Sequence, residues 1–406
     1  MKVAILVGRY LPGYRSGGPI VSINRLVAEE DDHDIRIITR DRDFEDTSPY
    51  PGIDRRTWTA VDGAFVAYLP VAPRDVVWVI REMRKWRPDV VYLNGLYATD
   101  TLLTLIVRKT KLLPPSVWVL APRGDTSPGA RKLKQRKKRL AAGPIRWLLG
   151  DKFTLHASSP LELSEFEDWK GEKGVDDLKW VIRPPSPPKP SALPGGGSGS
   201  VTPIVVFASR IDPKKGLDRA IELMARIRVP VTFKVYGTVS DSRYWHDCLD
   251  LATSLPSHVE VRYEGAYHPD EACLIFDSAD LLVLPTRGEN FGHTVAEALS
   301  RGCPVAISRG VTLWDPVIRR SGVLLEHNDH DARTIDKLIA EPISERASRR
   351  ELAWSDYSAW RGGNENERLL TSAGVRSGSL FEAVLDTASQ RSRRTSAKSG
   401  SVALNQ

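Results

Sequence analysis

Between residues 183 and 200 the chain runs RPPSPPKPSALPGGGSGS, proline-rich at first and then built of glycine and serine. That composition is stiff, then flexible, and reads as a linker between domains. On each side of it, short apolar runs alternate with stretches of helical periodicity. Before it, strands are expected over 2–7, 34–39, 89–93, 116–120 and 153–159, with helices over 20–30, 76–86 and 99–109 and one opened by Pro160. Two short strands within 57–69 flank Asp62-Gly63, a hairpin-turn pair. After the linker, strands are expected over 203–208, 231–236, 258–263, 281–285 and 304–308, with helices between them. Alternation of this kind predicts an α/β fold with two doubly wound, Rossmann-like domains. A chain of 406 residues is also too long for one ordinary core.

The predicted divisions are a first domain over 1–183, the linker over 184–200 and a second domain over 201–345. A helical segment follows over 346–388, expected to pack back on the first domain, and then a polar, basic, disordered tail over 389–406. Past residue 325 the regular alternation fades.

The net charge of +7 permits phosphate-bearing ligands, an anionic membrane surface or nucleic acid, and selects none of them. Cys248, Cys273 and Cys303 are few and not in metal spacing, which points to a reducing compartment. MKVAILV at the start is too short for the apolar core of a signal peptide. No apolar run approaches about 18 residues, so no span of a membrane is expected.

One stretch gathers the chemistry. Residues 287–305 read RGENFGHTVAEALSRGCPV and lie between two apolar strands. A glycine-containing loop there feeds a helix N-terminus, whose amides and dipole suit an anion. Glu289 precedes the turn and Glu297 follows it. Thr294 and Glu297 also fit a capping box, so Glu297 reads either as a cap or as a ligand. In the loop SRIDPKKG after the strand 203–208, Arg210 and Lys215 sit beside another helix start. They read as a diphosphate clamp or as two surface cations.

In a doubly wound sheet ligands bind beyond the C-terminal strand ends, here loops 8–19, 94–98 and 121–129. The first, GRYLPGYRSGGPI, places Gly17-Gly18 before a helix, where a backbone approaches a ligand or simply turns. It is not a dinucleotide fingerprint. Asn94 ends a strand in the second loop and Arg123 lies in the third. The run RKLKQRKKRL over 131–140 reads as a solvated helix face, or as a docking surface (Arg131 to Arg139) for an anionic membrane or a phosphate-bearing acceptor. Nucleic acid is not expected, because the run lacks stacking aromatics. His156 at a strand end reads as core structure before it reads as a ligand. The polar loop His327-Asn-Asp-His330-Asp331 and the pair Asp41/Asp43 resemble metal-binding patterns that arise by chance, and no metal is expected.

Taken together, these segments resemble the family-4 (group 1) retaining glycosyltransferases of GT-B fold, whose two domains face each other across a cleft. The resemblance covers roughly residues 1 to 330. FASRIDPKKGLD is similar to the family's Gly-Arg-x5-Lys-Gly segment, with Ser209 where a glycine is usual. ADLLVLPTRGENFGHTVAEALSRGCPVA is similar to its Glu-x7-Glu segment. APRGDTSPG, the basic run and HASS resemble a subgroup found in surface-polysaccharide assembly.

That resemblance implies transfer of a sugar from a UDP or GDP donor to a lipid-linked or saccharide acceptor, without a cofactor or metal. It implies extracellular polysaccharide, lipopolysaccharide or glycolipid assembly, in the cytoplasm or on the inner face of the plasma membrane. It assigns Arg210 and Lys215 to the diphosphate, Glu289 to the transferred sugar, and Asn290, Phe291, Gly292, His293 and Thr294 to sugar and diphosphate. Glu297 falls to the ribose and Gly17-Gly18 to closure over the donor, while the first domain takes the acceptor. Where relatives carry a histidine this chain reads PRG, which makes Arg123 the acceptor-side candidate. Two other readings stand beside this one: a sugar-nucleotide epimerase on the same two-domain plan, and a non-catalytic sugar-nucleotide-binding protein. A nicotinamide dehydrogenase is disfavoured by the missing fingerprint.

Overall fold

The structure, a computed structural model, describes residues 1–70, 72–127, 135–150, 153–171, 179–185, 187–192, 194, 196–365 and 370–371. They divide into two units, Met1–Ser186 and Pro187–Asn366, with a two-residue strand Leu370–Thr371 joining the first.

The first unit runs β1 (Lys2–Val7), α1 (Gly18–Glu29), β2 (Asp34–Arg40), β3 (Trp58–Val61), β4 (Ala64–Leu69), α2 (Pro73–Trp86), β5 (Val90–Asn94), α3 (Thr99–Lys109), β6 (Val117–Ala121), α4 (Gln135–Leu149), β7 (Thr154–Ala157), α5 (Pro160–Lys170) and β8 (Lys179–Ile182). Its sheet is ordered β8-β7-β6-β5-β1-β2-β4-β3, with Leu370–Thr371 added beside β8; the pairings are parallel except for the β3–β4 hairpin and the antiparallel pairing of Leu370–Thr371 with β8. Asp62 and Gly63 both take positive φ in that hairpin, as a two-residue turn of the favoured twist requires. Strands such as VVYLN are buried along their whole length because helices cover both faces of a parallel sheet.

The second unit runs β9 (Ile204–Ala208), α6 (Leu217–Met224), β10 (Val231–Tyr236), α7 (Ser242–Ala252), β11 (Val259–Gly265), α8 (Ala272–Ser278), β12 (Leu281–Leu284), α9 (His293–Ser300), β13 (Val305–Ser308), β14 (Val323–Leu325), α10 (Asp329–Ile339) and α11 (Ile343–Glu365). Its six strands are all parallel, in the order β11-β10-β9-β12-β13-β14. The chain moves outward from β9 in one direction, then restarts at β12 on the other side. That reversal is the switch point where the loops after β9 and β12 part and leave a crevice.

Two expectations change here. The stretch 187–200 is not a loose tether but runs along the second unit. Ser191 N–H bonds the Ser300 carbonyl, Gly197 N–H the Asp277 carbonyl, and the Tyr357 hydroxyl the Pro188 carbonyl. Regularity also does not fade after residue 325. The loop suspected of chance metal-binding character caps α10: Asn328 takes the His330 N–H, and Asp331 takes those of His327 and Asn328. Helix α11 then inserts Ala353 and Tyr357 into the second core and buries Arg350, which donates to the carbonyls of Phe276, Ala279 and Arg301. These are orphan carbonyls at the ends of α8 and α9, which a helix interior cannot satisfy.

No helix among the described residues is long and apolar enough to cross a membrane. Residues 131–134 of the basic run and 372–406 of the tail lie outside the described residues, as do the side chains of 135–139.

Candidate functional site

The switch point of the second unit brings together the two loops singled out in sequence. Two glycines make that approach possible. Gly216 caps α6 at φ +78°, and a Cβ there would stand 2.3 Å from the Pro285 carbonyl oxygen. Gly237 at φ +145° lies against Ser209, where a Cβ would fall 1.8 Å from the carbonyl oxygen. Only glycine combines this backbone with so close a contact.

With the loops so apposed, Lys215 Nζ lies 2.6 Å from Glu289 Oε2, with both side chains mostly buried at 14 % and 11 % exposure. Burial by itself would raise the Glu289 carboxyl. The charges of Lys215 and Lys214, with hydrogen bonds from Lys215 and the Asn290 N–H, outweigh that and hold it below the usual carboxylate range. Arg210 stands at the rim, 40 % exposed and 3.6 Å from Asp212. At that distance its guanidinium is loosely held and can turn to an incoming anion.

The turn Asn290–Phe291–Gly292 leads into α9. Phe291 is buried, and its carbonyl accepts from Trp314 Nε1 at 2.6 Å. Gly292 is the cap of α9, at φ +79°, and a Cβ there would meet Trp314 Nε1 at 3.0 Å and Glu289 Cγ at 3.2 Å. His293 and Thr294 therefore open the helix, and its first amides face outward from the turn. This corrects the capping-box reading: Thr294 lies inside the helix, and Glu297 falls one turn further in, on His293–Ser300. Glu297 instead neighbours Tyr267, whose phenol is pushed up by burial and then by the Glu297 charge. Tyr267 packs edge-on against Tyr236, with ring centroids 6.1 Å apart.

Sequence reasoning missed the brace behind the site. Arg287 bonds both oxygens of Asp218 and the Pro213 carbonyl, and the Tyr244 hydroxyl donates to Asp218 at 2.6 Å. Thr286 Oγ1 reaches the Lys214 carbonyl at 3.0 Å. These bonds tie the loop after β12 to the loop after β9. The one available signal was Arg287 itself, an arginine opening the acidic loop, which gave no hint of a partner 69 positions away.

The remaining predicted residues belong to the first unit. Gly17 at φ +63° caps α1, which begins at Gly18. Arg123 donates from Nε to Asn94 Oδ1 at 2.8 Å and from Nη2 to the Tyr92 hydroxyl at 2.8 Å. Tyr92 in turn bonds His156 Nδ1 at 2.6 Å, and His156 Nε2 meets the Arg183 carbonyl at 2.9 Å. A carbonyl only accepts, so Nε2 carries the proton and Nδ1 receives the Tyr92 hydrogen. Burial first, and then the Arg123 charge, push this histidine down to about 3. His156 is thus a neutral core bridge.

Asp41 pairs with Arg42 and Arg55, while Asp43 accepts the N–H groups of Tyr14, Arg15 and Phe44. Both acids brace loops. Among the described residues no group of three or more His, Cys, Asp or Glu is gathered as a metal site would be.

Residues 196–353 match the family described as Glycosyl transferases group 1. A curated relative, glycogen synthase of Geotalea daltonii, is 28 % identical over 160 residues, 39 % of this chain and 32 % of that protein. The chain spans less than half the length of the curated relatives it matches first. Over the whole chain the fold is similar to sucrose-phosphate synthase from Thermosynechococcus elongatus, with a TM-score of 0.65 and 16 % identity, covering 98 % of this chain and 99 % of that one. It is also similar to Anabaena HepE in complex with UDP-glucose, with a TM-score of 0.63 and 16 % identity, covering 97 % and 100 %. Both solved structures share the two-domain GT-B fold with this chain.

Proposed function

Because residues 196–353 match the family described as Glycosyl transferases group 1, we propose that the chain moves a sugar from a nucleoside-diphosphate donor onto a hydroxyl acceptor. The observation that carries this reading is the Lys215–Glu289 pair, 2.6 Å apart where two loops meet beside the start of α9. Arg210 and Lys215 take the diphosphate together with the first amides of α9. Glu289 receives hydroxyls of the sugar, and Glu297 those of the ribose.

As the bond from the sugar's anomeric carbon to the phosphate oxygen breaks, its electron pair passes to the diphosphate. Lys215, Arg210 and the helix dipole stabilise that charge as it grows, so no metal is needed for the task. The acceptor hydroxyl adds on the same face and its proton goes to the departing phosphate oxygen, which retains configuration. Glu289 is ionised but held by Lys215, and that suits a positioning role better than a nucleophile's. The UDP-glucose bound by Anabaena HepE makes a UDP sugar the first donor to try. The resemblance to polysaccharide-assembly enzymes supports a glycan or lipid-linked acceptor.

The test is nucleoside diphosphate release from UDP- and GDP-sugars with an acceptor panel, repeated with a chelator. Lys215→Ala is expected to lower kcat/KM by about 10²-fold or more, as loss of one donor to a developing charge does elsewhere. Glu289→Gln should lower it comparably. Full activity in both variants would refute the site. Conversion of the free sugar nucleotide without acceptor would favour the epimerase reading.

A further inference from the structure

The first unit holds a slot that the donor site does not account for. It lies between α2 and α3 over the ends of β1, β2 and β4, with a volume of about 60 Å3. Leu6, Ile38, Val79, Leu103 and Val107 make its walls apolar. At one end it turns polar, with Thr39, Arg40 and Asp100. Arg9 approaches the same corner from the loop after β1, where its guanidinium stacks over Phe44 at 5.1 Å. A Cβ on neighbouring Gly8 would lie 3.7 Å from Asp100 Oδ1.

This corner is rich in buried polar atoms without partners. Thr39 Oγ1, Arg40 Nε and Arg9 Nε are shut off from solvent and make no hydrogen bond, and the buried Asp100 carboxylate has no side-chain partner. Buried polar groups are normally satisfied, so such a concentration marks a place where something else bonds. The two guanidinium groups are close enough that the Arg40 charge, after burial, lowers Arg9. Two cations face two carboxylates, Asp43 beside Arg9 and Asp100 between the two arginines, so the formal charges balance while the guanidinium Nε groups stay unpaired. The corner also sits at the switch point of the first sheet, between the loops after β1 and β5, where doubly wound sheets bind ligands. Outside the slot Val77 and Ile106 are exposed on α2 and α3, so a chain longer than the slot would run out over apolar surface.

We propose that this slot binds a phosphorylated amphiphile, its phosphate on Arg9 and Arg40, a hydroxyl on Asp100 and its apolar chain between α2 and α3. That such a molecule is the sugar acceptor rests on the transferase reading above. That the slot binds it does not.

Calorimetry on the full chain with n-octyl phosphate, n-octanol and inorganic phosphate separates the contributions. Octyl phosphate is expected to bind at least ten-fold more tightly than either half alone. Arg40→Gln and Leu103→Trp should each weaken it ten-fold or more, Arg40→Lys less, and Lys215→Ala should leave it unchanged. Where Leu103→Trp does not fold, Leu103→Asn at the same rim position carries the test. The proposal is overturned if octyl phosphate does not bind, if inorganic phosphate or octanol binds equally well, or if Lys215→Ala rather than Arg40→Gln abolishes binding. UDP titrated in parallel keeps the two readings apart: loss of octyl phosphate binding alone sinks the slot, and failure of UDP to bind sinks only the donor site.

Discussion

Seventy-four positions separate Lys215 from Glu289, yet 2.6 Å separate their charged atoms. Removing one partner leaves the other as a buried, unpaired charge, which elsewhere costs about 3–5 kcal/mol. Lys215→Ala should therefore be read with a stability measurement beside the kinetics. His156 offers a cleaner test of a single group. Its ring is held near 3 by burial, against an ordinary value near 6.5 in the unfolded chain. Between those values the unfolded state binds the extra proton, so the stability is full above about 6.5 and falls as pH drops toward 3. The slope is about 1.4 kcal/mol per pH unit within that window. His156→Gln, which keeps a donor for the Arg183 carbonyl, is expected to flatten this acid limb, as read by urea unfolding at pH 7, 6, 5 and 4. An unchanged slope would mean that other groups set it.

Among the elements, the loops after β9 and β12 depend on their glycines more than on any side chain. Gly216→Ala forces an L-residue into φ +78° and drives its Cβ against the Pro285 carbonyl. We expect a loss of about 2 kcal/mol, from the left-handed backbone and the overpacking together. If the loops part, nucleoside diphosphate affinity should also fall about ten-fold, equivalent to about 1.4 kcal/mol. Titration of wild type and variant with UDP and GDP, alongside thermal melting, reads both effects. Unchanged affinity would show that the Arg287–Asp218–Tyr244 brace holds the loops without Gly216.

At the scale of the whole molecule each unit has its own sheet and core, and the candidate donor residues lie in the second apart from Gly17 and Gly18. A ligand bound only to the folded state raises stability by about 2.7 kcal/mol at one hundred times its Kd. Either UDP or GDP is expected to raise the melting temperature, and the one that does identifies the base. The same nucleotide should do nothing to Lys215→Ala.

Much of this was legible in the linear sequence for local reasons. Strand and helix periods are set by side-chain alternation over a few residues, so most of the β-α order could be read directly, though not the short edge strands β8 and β14 or the helices after residue 325. Glycines that must take positive φ, the hairpin at Asp62-Gly63 and the helix start after Gly292 also announce themselves locally. Other features could not be read there, because they are long-range pairings. The capping box at Thr294 fitted the letters, but Gly292 had already started the helix two residues earlier, against Trp314. The proline- and glycine-rich stretch looked like a free linker because nothing local reveals the carbonyls of Asp277 and Ser300 that bind it. The Arg287 brace, the neutral bridge at His156 and the unpaired corner at Arg9, Arg40 and Asp100 all join different strand ends. Composition and period thus determined the class of fold and the residues able to meet an anion. Only the order of strands in each sheet decided which of them stand together, because bonds between distant residues depend on the sheet that brings them within reach.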